Sequence, residues 1–230
     1  MGIKAVIFDL DDPLFDCPRQ LTDPARRRAA EKMACAISSL DVNDLARLQA
    51  DLSKTLGSTG AIREIAQRYR LPSACAENAL AAYNRTEVEA VSPFPDVPKT
   101  LAELRRRGYP LSLVTTGSPD RQRRKIHLLG LDHLFDEARG TLVLHDNRQH
   151  PLKDASLQRA AALLTLPPRQ ILSVGDKLDT EIAASNRLHM STARLRHGRQ
   201  KNRLPQTPDE QPDYEIDRIS DLLPMLRCNG

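Results

Sequence analysis

Residues 3–16, IKAVIFDLDDPLFD, constrain the chain more than any other stretch. Ile3 and the apolar run from Ala5 to Phe8 read as a short, fully buried strand. The chain turns acidic directly after it. Asp9, Asp11 and Asp12 fall within four residues, and Asp16 lies just beyond. Carboxylates at the mouth of a buried strand are costly unless something pairs with them. A hard divalent cation such as Mg²⁺ suits oxygen ligands of this kind. In open α/β sheets, ligands gather beyond the carboxyl ends of the strands. An acidic surface turn is the plain alternative, and the return of the same pattern later in the chain weighs against it.

From about residue 18 to residue 92 no stretch reads as a strand. Apolar residues recur there at helical spacing: Ala29, Met33, Ala36 and Ile37; Leu45, Leu48 and Leu52; Ile62, Ile65, Ala66 and Tyr69; Ala76, Leu80 and Tyr83. This predicts four helices, each with one apolar stripe. Thr22 followed by Asp23-Pro24, Asp41 and Ser73 are the candidate N-terminal caps. Such a block, set straight after the first strand, reads as a lid inserted into a core. The expected division is a core of residues 1–16 and 93–230 and a helical cap of residues 17–92.

The proline-rich segment SPFPDVP, residues 92–98, marks the return to the core, and regular alternation begins there. Helices are expected over 97–107, 119–129, 155–164, 179–186 and 219–226. Strands are expected over 111–116, 142–144, 171–174, 191–195 and 214–216. The polar stretch 196–212 reads as a flexible loop. Strands alternating with helices of about ten residues mean parallel βαβ units. The fold class is therefore α/β, a doubly wound parallel sheet with an inserted helical domain.

Composition excludes several functions. Aromatic residues make up 3% of the chain and Trp is absent, which argues against stacking platforms for single-stranded nucleic acid. The net charge of +4 is mild and the arginine clusters are scattered; they read as solvated helix faces, and nucleic acid is not an expected partner. Cys17, Cys35, Cys75 and Cys228 have no paired spacing and read as reduced thiols of a cytoplasmic protein. No apolar run approaches the ~20 residues needed to span a bilayer, and the chain opens directly on a strand with no signal-peptide pattern. No membrane partner is expected, and oligomeric state carries no sequence signal.

Three strands end in residues that can do chemistry: Asp9-x-Asp11, then Thr115-Thr116-Gly117, then Gly175-Asp176 with Asp179 and Glu181 close behind. On a parallel sheet these ends open on one edge. Carboxylates from two ends make a cation site. A hydroxyl with a Gly turn at a helix start makes a phosphate cradle. Lys153, just ahead of a helix, supplies the missing positive charge.

These residues stand in motifs. FDLDDP (Asp9 to Pro13), LVTTG with Thr115, LKDAS with Lys153, and VGDKLDTEIAASN with Asp176 follow one another in order. Over nearly its whole length the chain resembles the haloacid dehalogenase superfamily of phosphohydrolases, in the branch with a helical cap after the first motif. The resemblance implies a small phosphorylated metabolite as substrate and Mg²⁺ as cofactor. It implies Asp9 as the nucleophile that becomes an aspartyl-phosphate. It implies Asp11 as the acid that protonates the leaving alcohol and then deprotonates water. Thr115 and Lys153 would bind the phosphoryl oxygens, with Thr116 and Gly117 beside them. Asp9, the Asp11 carbonyl and Asp176 would hold the cation, with Glu181 or Asp179 in support. The presence of Asp11 favours phosphoester hydrolysis over dehalogenation.

Three positions depart from the family pattern. Pro13 stands where Thr or Val is usual and disfavours helical dihedrals at Asp12. Asp154 follows Lys153 where Pro is usual, close enough to pair with the lysine and hold it off the site. Glu181 stands where Asp is usual. They give a second reading: a degenerate member that binds a phosphorylated ligand or a protein partner without turnover.

Overall fold

The computed structural model describes residues 2–37, 39–85, 88–145 and 152–226, so the expected thiol of Cys228 lies outside the described residues. The chain divides into two compact units, Met1–Asp16 with Val88–Gly230, and Cys17–Glu87. The first unit resumes at Val88, just ahead of the proline-rich stretch. In chain order the main elements are β1 (Ala5–Phe8); α1 (Asp23–Ala34), α2 (Val42–Arg68) and α3 (Ser73–Tyr83); then α4 (Val97–Arg106), β2 (Leu111–Thr116), α5 (Pro119–Leu128), β3 (Leu142–His145), α6 (Asp154–Leu163), β4 (Ile171–Gly175), α7 (Ala183–Arg187), β5 (Ser191–Leu195), β6 (Tyr214–Ile216) and α8 (Leu222–Met225).

In the helical unit, α1 carries a Pro in its first turn, where the missing N–H costs nothing. The Asp41 carboxylate accepts a hydrogen bond from Asp44 N at 2.8 Å and caps α2. Ser73 is the first residue of α3 and makes no side-chain cap. The two middle helices expected from the sequence are joined end to end through Gly57, where φ is +67°. Glycine takes that angle without steric cost, so the break needs no loop. The stripes then close on one another: Ala29, Ala30 and Met33 of α1 pack with Leu45, Ile62 and Ile65 of α2 and with Ala79 and Leu80 of α3.

The first unit is a six-stranded parallel sheet in the order β3-β2-β1-β4-β5-β6. All four residues of β1 are buried, as in a strand covered on both faces. On one face Ala5 and Ile7 pack with Val114, Val143, Leu157, Ala160 and Ala184. The chain builds β2 and β3 to one side of β1, then crosses over to lay β4 on the other. That reversal opens a crevice at the carboxyl ends of β1 and β4, where ligands of doubly wound sheets bind.

Two expectations change. The helix over 179–186 begins as a wider π-type turn, Leu178–Ile182, before α7. The stretch 196–212 is not a loose loop. Arg194, 2% exposed on β5, donates to the carbonyls of Gln200 at 2.6 Å and Arg203 at 2.7 Å. The Asn186 amide donates to the carbonyls of Asp209 and Gln211. A buried guanidinium has to find acceptors, and this polar segment supplies them. No helix among the described residues is long and apolar enough to cross a membrane.

Arg194→Ala strands those carbonyls and empties a buried site. It should lower the unfolding free energy by about 2–4 kcal/mol in denaturant titration. Limited proteolysis should then cut first within 196–212; a first cut elsewhere in the chain would show that Arg194 is not what pins the segment.

Candidate active site

The site begins where β1 ends. Asp9 N donates to the Val174 carbonyl at 2.9 Å, extending the β1–β4 ladder by one residue. This fixes Asp9 beside the end of β4, where Asp176 follows Gly175. Asp9 is 5% exposed and Asp176 not at all. Beyond Asp9 the chain turns sharply. Asp12 takes φ +83°, a region closed to most residues but tolerated by Asp. Pro13 bars Asp12 from the right-handed helical region, and the turn closes with Leu14 N donating to the Leu10 carbonyl at 3.2 Å.

Two helices bring lysines to these acids. Lys153 sits at the start of α6, and its ammonium donates to Asp9 Oδ1 at 2.6 Å and to Glu181 Oε1 at 2.7 Å. The expected pairing of Asp154 with Lys153 does not occur. Asp154 instead accepts two bonds from Arg187, at 2.8 and 2.7 Å. Its first-turn position aims it away from the strand ends while Lys153 points toward them. Glu181 lies in the π-type turn and is also held by the Thr180 hydroxyl at 2.7 Å. Its side chain lies so close to Gly175 that a Cβ there would stand 2.7 Å from the Glu181 Cβ. Only glycine leaves room for it.

The other helix is α5, which follows the Thr116-Gly117 turn at the end of β2. Its Gln122 amide donates to Thr115 Oγ1 at 2.5 Å. One turn on, the Lys125 ammonium donates to both Asp11 carboxylate oxygens, 2.8 Å each. Neither residue belongs to one of the sequence motifs. The signal present was positional: Gln122, Lys125 and Ile126 share the inward stripe of α5, and a lysine on such a stripe needs an acid to face.

Asp9, Asp176, Glu181 and Lys153 therefore converge; Asp11 joins them two residues after Asp9, and Thr115 lies one residue before the end of the neighbouring strand. Asp179 does not converge. It is exposed and pairs with Arg203 at 2.7 Å, because the π-type turn points Glu181 inward and Asp179 out. Lys177, next to Asp176, also enters the cluster's field.

Burial dominates the electrostatics. It pushes the Asp9 carboxyl up to about 6, against the pull of Lys153. It pushes Asp176 up to about 8, with Glu181 adding repulsion. Burial also opposes the charge on Glu181, but Lys153 and Lys177 outweigh it and hold Glu181 down at about 2. Lys153 and Lys177 lose stability to burial and regain more from the carboxylates, so both lie above the ordinary lysine range. At neutral pH the central pair is an Asp9 carboxylate against a Lys153 ammonium.

Among the described residues no three His, Cys, Asp or Glu side chains form a ready-made metal cluster. The donor set still suits a hard cation. Among the described residues, neither carboxylate oxygen of the buried Asp176 has a hydrogen-bond partner. The acids Asp9, Asp11, Asp12, Asp176 and Glu181 outnumber the lysines 125, 153 and 177 by two. Mg²⁺ is commonly held by one or two carboxylates and keeps several waters, and Asp9 and Asp176 provide that many from adjacent strand ends.

A model of the haloacid dehalogenase-like hydrolases matches residues 3–189. A glyceraldehyde 3-phosphate phosphatase of Methanopyrus kandleri is 34% identical, over 98% of this chain and 97% of its own. One from Pyrococcus furiosus is 28% identical, over 99% and 95%. The crystal structure of a predicted phosphoglycolate phosphatase from Haemophilus somnus shares the fold with a TM-score of 0.69, 20% identity and 98% coverage of both chains.

The Asp176 shift carries a stability signature. With a folded value near 8 against an ordinary 3.8, the folded chain keeps a proton that the unfolded chain releases. The stabilisation is full below about pH 4 and is lost as pH rises through about 8. In chelator, Asp176→Asn should be more stable than wild type at pH 8, by about 1–3 kcal/mol, with the gap shrinking toward pH 4. Parallel thermal-melting curves for the two proteins across this range would contradict the assignment.

Proposed function

The chain belongs to the haloacid dehalogenase-like hydrolases, and on that premise we propose that it removes the phosphoryl group from a small phosphorylated metabolite, with glyceraldehyde 3-phosphate the first candidate. The observation that carries this reading is the Asp9–Lys153 contact of 2.6 Å at the end of β1, beside the end of β4 that carries Asp176. A carboxylate fixed by a buried ammonium is a nucleophile with one orientation. The candidate substrate comes from the two relatives of that name, whose likeness spans nearly the full length of both chains.

In the proposed reaction Asp9 attacks phosphorus and the ester P–O bond breaks, while Asp11 gives a proton to the departing alcohol. An aspartyl-phosphate results. Asp11 then takes a proton from water as its oxygen attacks phosphorus, and the Asp9–phosphorus bond breaks to release phosphate. Thr115, the Thr116-Gly117 turn and Lys153 hold the phosphoryl oxygens through hydroxyl, backbone N–H and ammonium groups. Asp9, Asp176 and the Asp11 carbonyl would hold Mg²⁺, with Glu181 supporting it. Bound there, the cation supplies the positive charge that lets an anionic carboxylate meet an anionic phosphate. Asp179, turned to Arg203, takes no part.

Turnover is favoured over binding alone because Lys153 reaches Asp9 and Asp154 is engaged elsewhere. Residues 17–92 act in this reading as the substrate-selecting cap. The absence of disulfides at Cys17, Cys35 and Cys75 suits a cytoplasmic setting.

Phosphate release is measured on a panel of sugar and glycolytic phosphates with Mg²⁺ or with chelator. Wild type should turn over with Mg²⁺ and stop with chelator. Asp9→Asn should lose roughly a thousandfold or more in kcat, and Lys153→Ala about a hundredfold or more. Equal background rates for wild type and Asp9→Asn would end the enzymatic reading.

A further inference from the structure

We propose that Lys125 is a positioning residue for proton transfer, gripping Asp11 so that its carboxyl meets the leaving oxygen. The inference rests on the reading of Asp11 as acid and base given above. Of three successive basic residues on α5, Arg123 bonds Glu137 and Asp120, and Arg124 bonds the Val88 carbonyl. Lys125 alone turns to the strand ends. Its side chain is 5% exposed, while that of Asp11 is 23% exposed. Burying an ammonium is costly without a partner, and the sequence commits this one to Asp11 across 114 residues of separation.

The geometry of the grip matters. The ammonium lies 2.8 Å from each Asp11 oxygen, so it engages the carboxyl through both oxygens and not one alone. It also lies 5.8 Å from the centroid of the Phe15 ring, close enough for a cation–π contact. Phe15 and Asp11 are joined through the turn of the acidic loop by a backbone bridge. The loop, the ring and the lysine are thus linked to one another. A carboxyl with both oxygens engaged by one ammonium still has lone pairs and a proton position to spare. The same inward stripe of α5 places Gln122 on Thr115 one turn earlier, so a single helix sets both the proton carrier and a phosphoryl-binding hydroxyl.

Proton transfer needs a heavy-atom approach of about 2.6–3.2 Å, and small errors of placement in such steps cost rate steeply. The leaving group tells this role from a merely structural one. An alkyl phosphate must have its departing oxygen protonated. A p-nitrophenyl phosphate expels p-nitrophenolate, a stable anion that needs little help. The quantity to compare is kcat/KM, which covers the step in which the leaving group departs.

Lys125→Met, Lys125→Arg and Asp11→Asn are compared with wild type on both esters, with Mg²⁺, alongside thermal midpoints and inhibition by inorganic phosphate. Lys125→Met should lose about 10- to 100-fold on the alkyl ester and much less on the aryl ester, with phosphate inhibition unchanged. Lys125→Arg should recover most of the alkyl-ester rate, and Asp11→Asn should show the same asymmetry as Lys125→Met in stronger form. Should Lys125→Met fail to fold, Lys125→Gln takes its place, with the same asymmetry expected. Equal loss on both esters overturns the positioning role. If Asp11→Asn is asymmetric and the uncharged Lys125 variant is not, the inference fails and the function stands. If wild type releases no phosphate from either ester, the underlying reading of function fails instead.

Discussion

A lysine and an aspartate separated by 144 residues meet in a buried site, and the first unit is built around that meeting. Lys153 and Asp9 are each about 5% exposed or less and stand 2.6 Å apart. Breaking such a buried pair by removing one partner typically costs about 3–5 kcal/mol, a large share of a domain's stability. The pair persists because each member has a second anchor: Glu181 for the lysine, and the backbone ladder to β4 for Asp9.

The acids of the cluster then sort by partner. Asp9 and Glu181 share Lys153, and Asp11 has Lys125. Asp176 is the exception, wholly buried, with neither oxygen hydrogen-bonded among the described residues. In a doubly wound sheet the switch point is where a ligand's charge is expected, and the unpaired carboxylate lies there. A protein that kept Asp176 for packing alone would bear an uncompensated desolvation cost at every pH above its titration.

Positions with local signatures were legible in the sequence. The acidic loop, the hydroxyl at the end of β2 and the Gly-Asp turn after β4 each combine a buried strand with an abrupt polar end, and parallel topology requires those ends to converge. The lysine before α6 was legible only as a charge in a suitable place. Lys125 and Gln122 were not found, because their meaning depends on the rotation of α5 about its axis. The fates of Asp154 and Asp179 were hidden for the same reason. A side chain one residue from a site can point into it or away, and sequence spacing does not say which.

The sequence by itself determined the alternation of strands and helices, the inserted helical block and the residue types at each strand end. Burial period, turn chemistry and charge are local properties, written residue by residue. Tertiary structure alone decided the pairing of charges: Lys153 with Asp9 and Glu181, Lys125 with Asp11, and Asp154 with Arg187. It also joined two helices through Gly57 and turned the 196–212 stretch into a segment fastened by Arg194. Pairing depends on distances between segments far apart in the chain, and those distances exist only once the sheet has brought its strand ends to one edge.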